Sequence, residues 1–118
     1  NRMKKHYVLV NNRDFQKVYR RGKYAASAFL VVYCLKSNTE TTKIGITTSK
    51  KVGNSVKRNR MRRLIRENIR EFYDKLHKGF NIVIVARKSE KYANKEIIGK
   101  ELKYLLYKLD LIDGESKC

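Results

Sequence analysis

Apolar residues recur along this chain with two periods, and the change from one to the other marks its elements. Over residues 56–76, Met61, Leu64, Ile65, Ile69, Phe72 and Leu76 share one face at 3.6 residues per turn, predicting a long core-packing helix. Phe15, Val18 and Tyr19 give a shorter helical face over 13–21, with Asn12 as predicted N-cap and Gly22 as its stop. Residues 28–35 are apolar on both sides, the pattern of a strand covered on both faces. A polar turn segment, 36–42, leads to a second strand at 43–48. Gly79 introduces a third strand at 80–87. The last helix is predicted to start within 89–92, with Ile98, Leu102, Leu105, Leu106 and Leu109 as its apolar stripe. Residues 1–11 read as a basic lead-in, and 111–118 are expected to fray.

The predicted order is α-β-β-α-β-α, with no repeat, proline or linker. That is an α+β class, a single-domain α/β sandwich over 1–118 with an ordered core of about 12–109. A chain of 118 residues sustains one core that buries roughly two-thirds of its unfolded surface. The strand–helix–strand unit at its centre is a βαβ crossover, which the general rule makes right-handed.

Charge narrows the class of partner. Lys and Arg total 29 against 11 Asp and Glu, a net 29 − 11 = +18. Such a balance suits nucleic acid or an anionic membrane surface. No apolar run approaches the ~18 residues of a membrane span, and no signal-peptide core opens the chain. No membrane role is expected. The start at Asn1 rather than Met reads as trimmed or engineered. Cys34, in an apolar strand, and Cys118, on the polar tail, fit a reduced, cytoplasmic protein better than a disulfide scaffold.

The charge is concentrated in one place. Nine Lys or Arg side chains and no acid lie between Glu40 and Glu67. On the long helix, Asn59, Arg62, Arg63, Arg66 and Arg70 form a stripe beside the apolar face. Glu67, Glu71 and Asp74 lie toward the C-terminal end, spaced to pair with Arg63, Lys75 and Arg70. Lys57, Arg58, Arg60, Arg62 and Arg63 crowd the first two turns, where the helix dipole disfavours cations by about 0.3–1 kcal/mol each. A solvated basic face is one explanation. A polyanion that reverses the penalty is the other, helped by free backbone N–H groups after Asn54.

Catalytic chemistry finds little support. The carboxylates are dispersed, His6 and His77 lie far apart in the chain, and no Cys/His spacing suits zinc. Neither a catalytic residue nor a protein-bound metal is expected. A second nucleic-acid surface is possible, because Phe15 and Tyr19 are i,i+4 and Val31 and Tyr33 alternate onto one strand face. Aromatics beside basic residues stack unpaired bases, though core packing explains the same pattern.

Lys51-x-Gly53-Asn54-x-Val56-x-Arg58-Asn59-Arg60-x-Arg62-Arg63-x-Ile65-Arg66 resembles the signature of the bacterial ribonuclease P protein subunit. Asp14-Phe15-Gln16-Lys17-Val18-Tyr19 with Gly22 upstream, and residues 82–88 downstream, agree with it. The resemblance spans about residues 12–109. It implies a left-handed crossover and a ribonucleoprotein endoribonuclease that removes the 5′ leader of precursor tRNA. It also implies that the RNA subunit performs the hydrolysis with Mg²⁺ at the RNA active centre. Contact with that RNA falls to Lys50, Lys51, Lys57, Arg58, Asn59, Arg60, Arg62, Arg63 and Arg66. The leader, by the same matching, falls to Phe15, Tyr19, Val31, Tyr33, Thr47, Lys51, Val85 and Arg87. Tyr19 stands where phenylalanine is common, a change that keeps the ring. A non-enzymatic RNA-binding module, such as a ribosomal protein, fits the composition equally well; the motif spacing and its flanks favour the first reading. A DNA-binding role is not expected, since no helix-turn-helix spacing occurs.

Overall fold

A computed structural model describes residues 7–113 of the chain. The elements are α1 (Asn12–Arg21), β1 (Lys23–Ala26), β2 (Leu30–Lys36), β3 (Lys43–Thr48), α2 (Ser55–Phe72), β4 (Phe80–Ala86) and α3 (Lys95–Lys108). Four strands form one sheet in the order β1-β2-β4-β3, with β3 and β4 parallel and the other pairs antiparallel. The helix between the two parallel strands is α2, so the predicted βαβ unit is present. The α+β expectation therefore holds, with one strand more than the sequence suggested.

That additional strand is β1. Its four residues bury only Ala25, so no apolar alternation announces it. Three boundaries also move. The N-cap of α1 is Asn11, not Asn12, and its side chain accepts from the Arg13 N–H at 2.9 Å. Helix α2 ends at Phe72 rather than Leu76, tightening into a 3₁₀ turn over Tyr73–Lys75. Helix α3 begins at Lys95, because Asn94 rather than a residue of 89–92 caps it, accepting from the Ile97 N–H at 2.9 Å.

Gly22 does stop α1, for a reason other than backbone handedness. Its φ is −81°, open to any residue, but a Cβ there would lie 2.4 Å from the Cys34 carbonyl oxygen. Gly79, by contrast, turns into β4 at φ +86°.

The main core lies between one sheet face and helices α2 and α3. Val32, Ile44, Ile82 and Ile84 meet Ile65, Ile69, Ile98, Leu102, Leu105 and Leu106 there, all fully buried. The predicted stripes of α2 and α3 supply their share, with Phe72 half-buried at the edge. Cys34 is buried in this layer, and burial pushes its thiol pKa up, as expected for an inert residue. Asn68 is also buried, its amide donating to the Leu64 and Lys95 carbonyls at 3.0 and 3.1 Å. Glu71 pairs with Lys95 on α3 at 2.8 Å instead of with a neighbour on its own helix.

The expected fraying after α3 is not found over the residues described. Leu111 and Ile112 are buried, and the Leu111 N–H donates to the Leu106 carbonyl while Asp110 N–H donates to that of Tyr107. This pair of bonds is a Schellman cap, with Asp110 at φ +62° where glycine is usual. His77 fastens the segment from outside, its N–H donating to the Leu111 carbonyl and its ring bonded to the Asp110 carbonyl and the Asp113 carboxylate. His6 and Cys118 lie outside the described residues, as does most of the basic lead-in.

Candidate nucleic-acid interface

The second face of the sheet is only partly covered. Strand pleating sends alternate residues to it, and register aligns them in rows across three strands. Val31, Val85 and Thr47 form one row; Tyr33, Val83 and Gly45 form the next; Leu35, Asn81 and Lys43 form the third. Helix α1 lies across these rows. Val18 closes a small core with Leu9 and Val83, while Phe15, Tyr19, Tyr33, Leu35 and Val85 stay half-open around it. A second core would have closed over these rings. Instead α1 leaves a cleft.

The rings in that cleft are mutually arranged. Tyr19 meets Tyr33 edge to face at 4.9 Å between centroids, and Phe15 meets Tyr19 at 6.5 Å. Tyr24 of β1 continues the series, 5.6 Å from Tyr33 and well exposed. Partial burial, with the neighbouring Tyr33 second, raises the Tyr19 pKa, so its hydroxyl keeps its proton at neutral pH. Of the residues matched to the leader site, Phe15, Tyr19, Val31, Tyr33, Thr47 and Val85 come together on this face. Lys51 sits exposed on a 3₁₀ turn, Lys50–Val52, just past β3. Arg87 follows β4, its guanidinium donating to the Ser27 carbonyl at 3.0 Å, so the tip of its side chain is tied to the β1–β2 turn.

Two features of the cleft escaped the sequence. Tyr24 was missed together with its strand, and only the Lys-Tyr-Ala-Ala alternation hints at it. At the far end, a hollow of about 400 Å³ beside Leu35 and Asn81 is ringed by Lys17, Arg21, Lys36 and Lys43. These cations are dispersed in sequence and gather only through the α1–β2–β3 packing.

Helix α2 carries the other candidate surface. Asn54 caps it, its side chain accepting from the Lys57 N–H at 3.0 Å. One of the backbone donors expected to be free for an anion is thereby used. Lys50, Lys51, Lys57, Asn59, Arg63 and Arg66 are exposed, as is Arg70. Arg58, Arg60 and Arg62 are not fully so. Arg62 donates to the Asn59 side-chain oxygen and, at 3.4 Å, to Thr48 Oγ1. Arg60 turns the other way, donating to the Ala93 carbonyl at 2.6 Å and the Tyr92 hydroxyl at 2.9 Å. Arg58 keeps its Nε buried without a partner. The nine residues therefore divide: an outward group with Arg63 and Arg66 at its centre, and Arg60 directed at the β4–α3 loop.

Among the described residues no three His, Cys, Asp or Glu side chains gather as a metal site would need. No helix of the described residues is long and apolar enough to cross a membrane.

The sequence profile of the Ribonuclease P family matches residues 3–110. The ribonuclease P protein component of Clostridioides difficile strain 630 is 43% identical over 104 residues, 87% of this chain and 91% of that one. The Staphylococcus aureus RNase P protein superposes with a TM-score of 0.82 at 30% identity, over 91% of this chain and 98% of the other. The Thermotoga maritima RNase P protein gives 0.73 at 28% identity, over 97% and 99%. A profile match over nearly the whole described fold, with relatives this similar, places the chain in the ribonuclease P protein family.

Proposed function

We propose that this chain is the protein subunit of a ribonuclease P, working in the cytoplasm beside a catalytic RNA on precursor tRNA. One observation carries the reading: the chain combines half-open aromatic rings on one face of the sheet with a basic exposed stripe on α2, the helix packed on the other face. The two surfaces suit different parts of an RNA substrate complex. The α2 stripe, with Arg63 and Arg66 foremost, neutralises phosphates of the folded RNA subunit, a contact dominated by charge. The half-open rings offer aromatic surface to unpaired nucleotides, whose bases stack on Phe15, Tyr19 and Tyr33. A single-stranded 5′ leader fits that description. Val31, Val85 and Thr47 would floor its exit, with Lys51 and Arg87 at its rim.

Hydrolysis in this reading belongs to the RNA. Among the described residues no three His, Cys, Asp or Glu side chains gather to hold a metal ion, which supports leaving Mg²⁺ with the RNA active centre. The protein lowers the phosphate repulsion that the ions would otherwise have to offset. The test is cleavage of precursor tRNA by ribonuclease P RNA at low Mg²⁺, with and without the purified chain. Cleavage at the mature 5′ end only when both are present is expected. RNA binding without any support of cleavage would favour a plain RNA-binding module instead.

A further inference from the structure

Around the end of the sheet from the cleft, a second hollow opens between the first turns of α2 and the β4–α3 loop. Its volume is about 440 Å³, within the ~300–1,000 Å³ of pockets that take small ligands. Its composition is mixed in a particular way. Phe29 and Met61, both buried, and Ala93 supply apolar walls. Four cations stand around them, Lys57, Arg60, Arg87 and Lys91, against the single carboxylate of Glu90, which itself reaches toward Lys88 at 3.9 Å.

The walls are held in place. Glu101 of α3 accepts from the Phe29 N–H at 2.9 Å and from the Ser27 hydroxyl, fixing the turn that presents Phe29. Arg87 is tied to the same turn through the Ser27 carbonyl. The stem of Lys57 lies across Gly53, where φ is +141° and a Cβ would sit 2.8 Å from Lys57 Cδ. Arg60 clamps the loop through the Ala93 carbonyl and lies 4.8 Å from the Tyr92 ring centroid. Tyr92 is nevertheless 73% exposed. Arg60 holds the ring there, also donating to its hydroxyl at 2.9 Å, yet most of this large aromatic surface is left to water beside apolar walls.

We propose that this hollow binds one unpaired ribonucleotide, its base against the Arg60–Tyr92 platform and its phosphate among Lys57, Arg87 and Lys91. Base–aromatic stacking and cation–π contact supply the base's part. An acidic peptide would satisfy the cations but leave the ring and apolar walls unused. The nucleotide belongs either to the leader or to the RNA subunit. Arg87, two residues beyond Val85 of the cleft, makes a path from the leader site around the sheet end. Lys57 and Arg60 belong to the helix assigned to the RNA subunit.

The full chain is titrated with AMP, GMP, CMP and UMP, with ribose 5-phosphate as the baseless control, following backbone amide shifts. Binding that moves Phe29, Met61 and Ala93 is expected, at least about tenfold tighter than ribose 5-phosphate. Tyr92→Leu is expected to weaken it by about 5- to 100-fold, the range of one lost stack, and Tyr92→Phe to retain it. The ring is exposed and Arg60 keeps its bond to the Ala93 carbonyl in both variants, so their melts should stay close to the parent's. Equal binding of ribose 5-phosphate, or shifts confined to Arg63 and Arg66, overturns the proposal. In the assembled holoenzyme, 4-thiouridine in the leader or in the RNA subunit then identifies the source by its crosslink to the loop; no crosslink from either overturns the assignment. RNA-dependent cleavage is read separately, so loss of this site and failure of the subunit reading give different results.

Discussion

Phe15 rests on Gly45. A Cβ built at Gly45 would lie 2.5 Å from Phe15 Cζ, so the ring of α1 occupies the space that any side chain on β3 would fill. Gly45→Ala should therefore swing the ring out of the cleft while leaving the strand's backbone bonds intact. Binding of leader-containing precursor tRNA to the holoenzyme should weaken by up to about 1–3 kcal/mol, the worth of a base stack. Mature tRNA should bind as before. Equal weakening of both would show that the ring's position matters to the fold alone.

Truncating the rings separates the same alternatives from the other side. A fully buried phenylalanine costs about 3–5 kcal/mol when cut to alanine. Phe15 and Tyr19 are only half-buried, so Phe15→Ala and Tyr19→Ala should cost clearly less. Their main effect should again be a selective loss with precursor tRNA. Thermal melts beside both binding curves decide it, and a melt that collapses would return the rings to the core.

The Schellman cap after α3 makes a stability prediction. Asp110 sits at φ +62°, which costs an L-residue more than glycine. Its backbone bonds to Tyr107 and its neighbour's to Leu106 do not involve the side chain. Asp110→Gly should raise unfolding free energy by about 0.5–1 kcal/mol. A lower denaturation midpoint would mean the carboxylate matters more than the backbone angle.

That cap also shows where sequence reading stops. The stripes of α2 and α3 were legible because a 3.6-residue period needs only local information. The end of α3 was not, because aspartate stands where glycine would have signalled a cap, and Leu111 and Ile112 then looked like a tail. β1 was hidden because an edge strand with one buried residue has no pattern to show. In the candidate site, the positions of Phe15, Tyr19, Val31 and Tyr33 followed from spacing and from the family motif. The directions of the basic side chains did not. Arg60 and Arg62 are two residues apart, but one is held by Tyr92 and Ala93 and the other by Asn59 and Thr48. Asn68 was missed for a similar reason, since its partner carbonyl on Lys95 and the close approach of Gly99 belong to another helix.

His77 gives the chain a pH-dependent fastening. Its hydrogen bond to Asp113 raises its pKa; desolvation opposes this, and the Asp110 carbonyl and both carboxylates add to the rise. The folded value is therefore above the unfolded one of about 6.5. Stability from this contact is fully present below about pH 6.5 and is lost as pH rises through the raised folded value. Both partners are substantially exposed, so the effect is small. In melts between about pH 5.5 and 8.5, Asp113→Asn should lie below the parent at the acid end and converge with it at the alkaline end. A gap that widens with pH would reverse the assignment.

The division among the α2 cations is testable by salt. Arg63 and Arg66 are exposed on the outer stripe, so on the proposed reading each would meet a phosphate. Arg63→Ala and Arg66→Ala should leave the melt unchanged and weaken binding of the RNA subunit. Each should also reduce the magnitude of the log K versus log salt slope by about 0.7–0.9, the counterions one contact releases. Arg60→Ala should behave differently. It frees the Ala93 carbonyl and the Tyr92 ring, so the β4–α3 loop loosens and the melt falls. Arg60→Lys keeps the charge but loses the planar fork that reaches both groups, and should fall nearly as far. The measurement is a salt titration of RNA-subunit binding for all four variants beside their melts. If Arg60→Ala shifts the slope by a full contact with an unchanged melt, its bonds to the loop are incidental and it belongs with the outward stripe. If Arg63→Ala and Arg66→Ala leave the slope untouched, their stripe is a solvated face and the RNA subunit docks elsewhere.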